Sequence, residues 1–299
     1  MIPKFFLIVQ TLLEVFDPDF LLHNSVYISV VFGLTCPLVG VYLVLRRLVF
    51  MGVALPQISS CGIAFAFALQ GWGLLPHAHE TAGEHTLAFL GSTVFTLAAI
   101  VLFSFLARRG HGSVEARLGT AYALAGAWSV LLLVKNPIGE HGLLDLLKGE
   151  IIAISNFELV LTAAAFSLVA AALFVFRKEF LLVSFDPDMA ISLKKNVLLW
   201  DAGLFLLIGL TISISVLGAG PLVTFGFLLF PPLTARLFAR TMRQFALLAS
   251  ALGGVTALTG FCLAYRWDLP VGATDVALLG AIYALGALAR RVAARWAHA

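Results

Sequence analysis

A chain of 299 residues in which 61% of side chains are hydrophobic and 12% charged is not a water-soluble domain; such domains carry about 25% charged residues and cannot hide this much apolar surface in one core. The net charge of +3 is spread in small basic groups and gives no sign of a nucleic-acid partner, and none is expected. The 3 cysteines, Cys36, Cys61 and Cys262, all fall inside apolar runs, which excludes a disulfide framework.

"MIPKFFLIVQTLLEVFDPDF" (1–20) shows no small-residue cleavage site and carries acids within its apolar part, so no cleavable signal peptide is expected. Residues 5–16 read as a short amphipathic helix on the outer membrane surface. Apolar runs of about 20 residues then recur, each long enough to cross roughly 30 Å of hydrocarbon as a helix, and none alternates as a barrel strand does. They are placed near 25–45, 50–72, 87–107, 117–134, 157–176, 197–217, 220–238, 245–265 and 271–289. The expected fold is therefore an all-α integral membrane protein, a polytopic bundle of nine spans, with eight as the alternative, in a single domain over 1–299.

The basic residues orient it. Arg46 and Arg47 follow the first span, Arg108, Arg109 and Arg117 the third, and Arg177, Lys178, Lys194 and Lys195 the fifth. Arg236, Arg240 and Arg243 follow the seventh, and Arg290, Arg291 and Arg295 the ninth, which leaves only Lys4, Lys135, Lys148 and Arg266 elsewhere. Lys and Arg collect on the cytoplasmic side, so the N-terminus is expected outside and the C-terminus inside.

The second span is unusual. "FMGVALPQISSCGIAFAFALQGWG" (50–73) holds an amide, two hydroxyls and a thiol near its middle. Val53, Gln57, Ser60 and Cys61 lie three to four residues apart and share one helical face. Polar groups within a bilayer are costly unless they face a bundle interior or an aqueous cavity. Gln57, Ser60 and Cys61 are therefore expected to look toward a translocation pathway, with Pro56 freeing a backbone carbonyl beside them.

The external loop "LLPHAHETAGEH" (74–85) offers His77, His79, Glu80, Glu84 and His85. It is either a capture site for zinc or a similar ion or an ordinary solvated connection. "PIGEHGLLDLLKGEIIAISN" (137–156) is too polar to span and reads as a re-entrant or surface helix, with Glu150 as a helix-terminal charge.

The internal stretch "FRKEFLLVSFDPDMAISLKKN" (176–196) alternates charges with Phe180, Leu181, Leu182 and Phe185, and "DPDMAISL" has the acidic start of a helix. It is expected to press on the inner membrane face. Asp201 opens the next span at the interface. In "GAGPLVTFGFLLFPPLTARLFARTMRQFALLAS" (218–250), Gly218, Gly220 and Gly226 are expected to let helices approach closely. Pro231–Pro232 is expected to break or bend the helix near its cytoplasmic end, with a short basic helix following. Asp275, close to the outer end of the last span, either pairs with Arg266 or sits in the pathway.

The chain has no GxxxxGK[ST] phosphate loop, so coupling to ATP needs a partner. The expected spans hold no histidine and few acids, which excludes an intramembrane hydrolase.

Taken together, "RRLVFMGVAL" with "GIAFAF" (46–67), "LLKGEIIAIS" (146–155), "KEFLLVSFDPDMAISL" (178–193), "GAGPLVTFGFLLFPPLTARL" (218–237) and "DLPVGAT" (268–274) resemble the ABC-3 permeases. These are the membrane subunits of zinc and manganese ABC importers. The resemblance covers the chain from the first span onward. It implies a type II importer-like fold, two permease copies (a homodimer), two cytoplasmic ATPase subunits carrying ATP and Mg, and an external solute-binding protein. It implies a transport subunit in the bacterial inner membrane, not an enzyme, with no cofactor bound by this chain and a divalent metal as cargo. It assigns residues 232–246 as the helix that docks into the ATPase, with Thr234, Arg236, Leu237, Arg240 and Arg243 as its coupling residues.

It also implies an aspartate and a histidine on the metal's path where this chain has Val53 and Gln57, with Pro56 where serine is usual. Valine is no ligand for a divalent cation and an amide oxygen is a weak one. Three readings of the stretch stand: a softer metal site of Gln57 and Cys61, joined by Cys36; a polar wall passing another solute or a chelated metal; or small residues packing helices. The alternatives for the whole chain are a permease for a metal chelate, siderophore or cobalamin-like cofactor, and a secondary transporter that works without an ATPase.

Overall fold

A computed structural model describes residues 22–72, 81–108, 113–134 and 156–296. The expected surface helix at 5–16 and residues 137–155, with Glu150, lie outside the described residues. Every regular element among the described residues is a helix: α1 (His23–Leu45), α2 (Val49–Gly71), α3 (Thr81–Arg108), α4 (Val114–Val134), α5 (Asn156–Val175), α6 (Arg177–Phe185), α7 (Pro187–Ser192), α8 (Val197–Phe238), α9 (Met242–Trp267) and α10 (Val271–Trp296). Among them 7 are long and apolar enough to cross a membrane, and 8 if α5 and α6, bent by 66° at Phe176, count as one span.

The expected spans 197–217 and 220–238 together make up α8, 42 residues long, in which two helices meet at a kink at Gly220. That length is roughly twice what a bilayer core requires. The break inside α8 is not at the proline pair. It is at Gly220, whose φ of 75° and ψ of 169° lie in a region that side chains with a Cβ avoid. Pro221 follows, with the fixed φ and missing N–H suited to a helix's first turn. Pro231 and Pro232 are buried within continuous helix. Gly40 of α1 lies directly against the Leu228 carbonyl and the Pro232 ring, and such packing holds a proline-containing membrane helix together.

The chain forms two compact units. The first comprises Met1–Val44, Glu150–Phe174 and Gly226–Ala299, and the second Leu45–Gly149 and Val175–Phe225. In the first, α1 and α9 run antiparallel with their backbones nearly touching. A Cβ built on Gly33 would lie 2.6 Å from the Gly253 carbonyl and 2.8 Å from the Ala257 methyl. Ser250 Oγ donates to the Leu34 carbonyl (2.8 Å) along the same seam. Phe32 packs edge-on against Phe227 and Phe166, with ring centroids at 4.9 and 6.2 Å. Gly226 meets Val276 of α10. The expected close approach therefore holds at Gly226, while Gly218 has nothing within 4 Å.

In the second unit α2 and α3 cross at Gly62 and Gly91, each lying on the other's backbone. Small residues at such a crossing replace the hydrophobic drive that lipid removes. Gly209 of α8 seats Leu97 and Ile100 of α3. The faces of α3 and α4 turned away carry exposed Val94, Val101, Leu102, Phe105, Leu124, Trp128 and Leu131, as a lipid-facing surface does.

Candidate functional site

Of the polar run in the second span, Ser59 and Ser60 are buried along with Cys61, while Val53 and Gln57 are half-buried. The hydroxyls of Ser59 and Ser92 are 2.6 Å apart, and Ser92 donates to the Ser213 carbonyl at 3.3 Å. With its one proton used there, Ser92 accepts from Ser59, and the chain of bonds ties α2 to α3 and α8. Ser59 therefore packs helices, as the third reading expects. Gln57 points elsewhere. Its Nε2 lies 3.5 Å from where a Cβ on Gly126 of α4 would be, an ordinary contact distance, so the amide sits against α4 at this residue. Ser129 meanwhile donates to the Gly126 carbonyl at 2.9 Å. Gln57 is thus a polar side chain at the α2–α4 contact, beside a glycine that sequence reasoning passed over. Cys36, Cys61 and Cys262 are free thiols and buried.

The histidine loop falls largely outside the described residues: His77, His79 and Glu80 are not among them, and Glu84 and His85 belong to the first turns of α3, where only the backbone is described. No group of three or more His, Cys, Asp or Glu side chains able to hold a metal occurs among the described residues.

The stretch 232–246 is not one short helix. Residues 232–238 are the end of α8, the backbone breaks at Ala239–Thr241, and α9 begins at Met242. The reason is a cap. Thr241 takes an extended backbone and its Oγ accepts from the Gln244 amide at 3.3 Å, while Gln244 Oε1 accepts from the Arg240 amide at 3.1 Å. This is the reciprocal bonding of a capping box, shifted by one residue, and "TMRQ" carries its signal in the sequence. Arg236, Arg240 and Arg243 are exposed around this junction. Leu237 is half-buried, and Thr234 is buried with its hydroxyl donating to the Phe230 carbonyl at 2.8 Å. Three of the five expected coupling residues thus form a basic, accessible edge, and the other two anchor it.

A second junction was legible. Asp186 caps α7, accepting from the Met189 amide at 2.9 Å, with Pro187 at the first turn; this is the helix start expected from "DPDMAISL". Phe180 is buried against Trp200, with centroids 5.8 Å apart, whereas Phe185 is exposed. Arg46 gathers the neighbouring elements: it pairs with Asp201 at 2.7 Å, donates from Nε to Ser184 Oγ at 2.9 Å, and lies over the Phe205 ring at 5.5 Å. Asp201 is therefore an ion-pair partner rather than a bare interfacial acid.

The expected pairing of Asp275 with Arg266 is not formed: Arg266 is exposed, while Asp275 is 1% exposed. Its Oδ1 has no hydrogen-bond partner.

The helices and their packing have the architecture of an ABC transporter membrane subunit. The PsaBC structure from Streptococcus pneumoniae superposes with a TM-score of 0.78 at 20% identity, over 93% of this chain and 95% of that one. Residues 19–290 match the ABC 3 transport family, and the chain belongs to it. An uncharacterized membrane protein of Synechocystis is 26% identical over 95% of both chains. The manganese transport system membrane protein MntD of Bacillus subtilis is 27% identical, over 86% of this chain and 88% of its own. The manganese import system permease protein ScaB of Streptococcus gordonii is 24% identical, over 85% and 86%.

Proposed function

We propose that this chain is the permease subunit of an ATP-driven importer of divalent metal ions, of the manganese and zinc class. The observation that carries this is the near full-length match to proteins named as manganese transport permeases, 86% of this chain in the case of MntD. The exposed arginine edge between α8 and α9 supports it, since a membrane subunit without a phosphate loop must receive its work from an ATPase outside the bilayer. Two copies, two cytoplasmic ATPase subunits and an external binding protein complete the assembly in this reading. The arginine edge and the C-terminus face the cytoplasm of the inner membrane, as the distribution of basic residues favours.

Vesicles containing the chain alone are expected to take up no manganese(II) or zinc(II), and vesicles containing the full assembly to do so only with ATP inside. Uptake by the chain alone would establish the secondary-transporter reading instead. Uptake of a chelate but not of the bare ion would establish the chelate reading.

Gln57 marks where the family's ligand set departs from this chain. Replacing it by histidine puts a good ligand at the α2–α4 contact. Gln57→His is expected to lower the concentration of zinc(II) needed for half-maximal uptake by about tenfold, the scale set by one added favourable contact of roughly 1.4 kcal/mol. An unchanged value would show that Gln57 only packs α2 on α4.

A further inference from the structure

Within the first unit, three buried oxygen-bearing side chains lack partners at one level of three packed helices. Asp275 of α10 is 1% exposed. Its carboxylate is seated on Gly260 of α9 so closely that a Cβ at 260 would overlap Oδ1 and lie 3.0 Å from Cγ. Neighbouring hydroxyls do not serve it. Thr256 and Thr259 donate to the carbonyls of Leu252 and Val255, and Thr274 to that of Pro270. Ser25 and Ser29 of α1 are also 1% exposed, and the Oγ of each lacks a hydrogen-bond partner, as does Asp275 Oδ1.

Their placement follows from the packing. Ser25, Ser29 and Gly33 stand one above another along α1, and Gly33 lies on Gly253 and Ala257 of α9. Val26 packs with Phe261 and Cys262. Ser29 therefore lies level with residues 257–261 of α9. Gly260 continues, by helical spacing, the stripe on which Gly253 and Ala257 meet Gly33 of α1, so Asp275 reaches the level of α9 next to that contact.

No counter-charge stands beside this carboxyl group among the described residues, and a bare carboxylate among apolar groups is costly in a bilayer, so it is neutralised either by a proton or by a cation. We propose that Asp275, with Ser25 and Ser29, forms a hard-oxygen transit site for the imported divalent cation, of a kind that suits manganese. This rests on the importer reading above. Carboxylate and hydroxyl oxygens favour manganese over softer metals. A single carboxylate keeps binding weak, and a transported ion must be able to leave each site it enters. The site also returns an acid to a chain that has Val53 where an aspartate is expected.

The test uses the full assembly in vesicles, with manganese(II) as the probe. Asp275→Asn keeps the shape of the side chain and removes its charge. It is expected to raise the manganese concentration for half-maximal uptake by at least about tenfold, the least that loss of a metal's outer-shell partner costs, without lowering thermal stability in detergent. Ser29→Ala is expected to shift it in the same direction by less. Equilibrium binding, read by electron paramagnetic resonance of manganese(II) on the detergent-solubilised assembly, is expected to lose one weak site in Asp275→Asn. Uptake within twofold of the unsubstituted protein and unchanged binding would overturn the site while leaving the importer reading intact. Failure of the unsubstituted assembly to take up metal would overturn the importer reading. Manganese binding would then decide the site alone: loss in Asp275→Asn upholds it, and no difference removes it.

Discussion

Reversing Arg236 and Arg240 to glutamate together is expected to abolish ATP-driven metal uptake and to leave the protein folded. Both side chains are exposed and neither belongs to a core, so the change in folding stability should stay within about 0.5 kcal/mol per site. The bonds that shape the junction use the Thr241 hydroxyl, the Gln244 side chain and backbone amides, none of which the substitutions remove. Docking is another matter. Close charge pairs across an interface couple by about 1.5–7 kcal/mol. At roughly 2 kcal/mol each, two reversals weaken association with the ATPase by about a thousandfold. Co-purification and transport measured on the same membranes check this. Unchanged uptake with the ATPase still bound would remove this edge from the coupling machinery.

Gly253→Val carries the largest expected cost in stability. A Cβ at this position would run into the Gly33 carbonyl and the Pro37 ring of α1. Backbone and proline cannot swing aside as the end of a flexible side chain does, so α1 and α9 must separate. Overpacking a core costs about 1–3 kcal/mol, occasionally more, and the rigid neighbours put this case at the upper end. Gly218→Val is the control, since nothing lies within 4 Å of its Cβ position. Thermal unfolding in detergent should separate the two clearly. Equal melting temperatures would mean that the α1–α9 seam contributes little.

Span positions were legible because length and polarity decide them: α1, α2, α4, α5 and α9 begin and end within about three residues of the expected limits, whereas α3 starts earlier, at Thr81, and α10 runs on to Trp296. Family membership was legible from short runs of residue types in order. Of the break or bend expected at Pro231–Pro232 the break does not occur, for a reason outside local sequence: Gly40, nearly two hundred residues earlier in the chain, packs against the helix there. The break at Gly220 was readable in principle, because glycine followed by proline is the signature of one helix ending and another beginning, but only packing tells that signal from a glycine used for close approach. The neighbour of Gln57 was not legible, since nothing in residues 50–73 points to Gly126. Asp275 was visible as an unusual acid. Its seat on Gly260 depends on how two helices meet.

The course of α8 rests on one residue. Between Val197 and Phe238 only Gly220 departs from helical torsions, so the heading of the polypeptide on either side is a function of two dihedral angles, much as a shaft turns at a universal joint. Each flanking segment keeps its own amide bonds whatever that joint does. A pair of reporters placed before and after it would thus read the combined setting of those two angles.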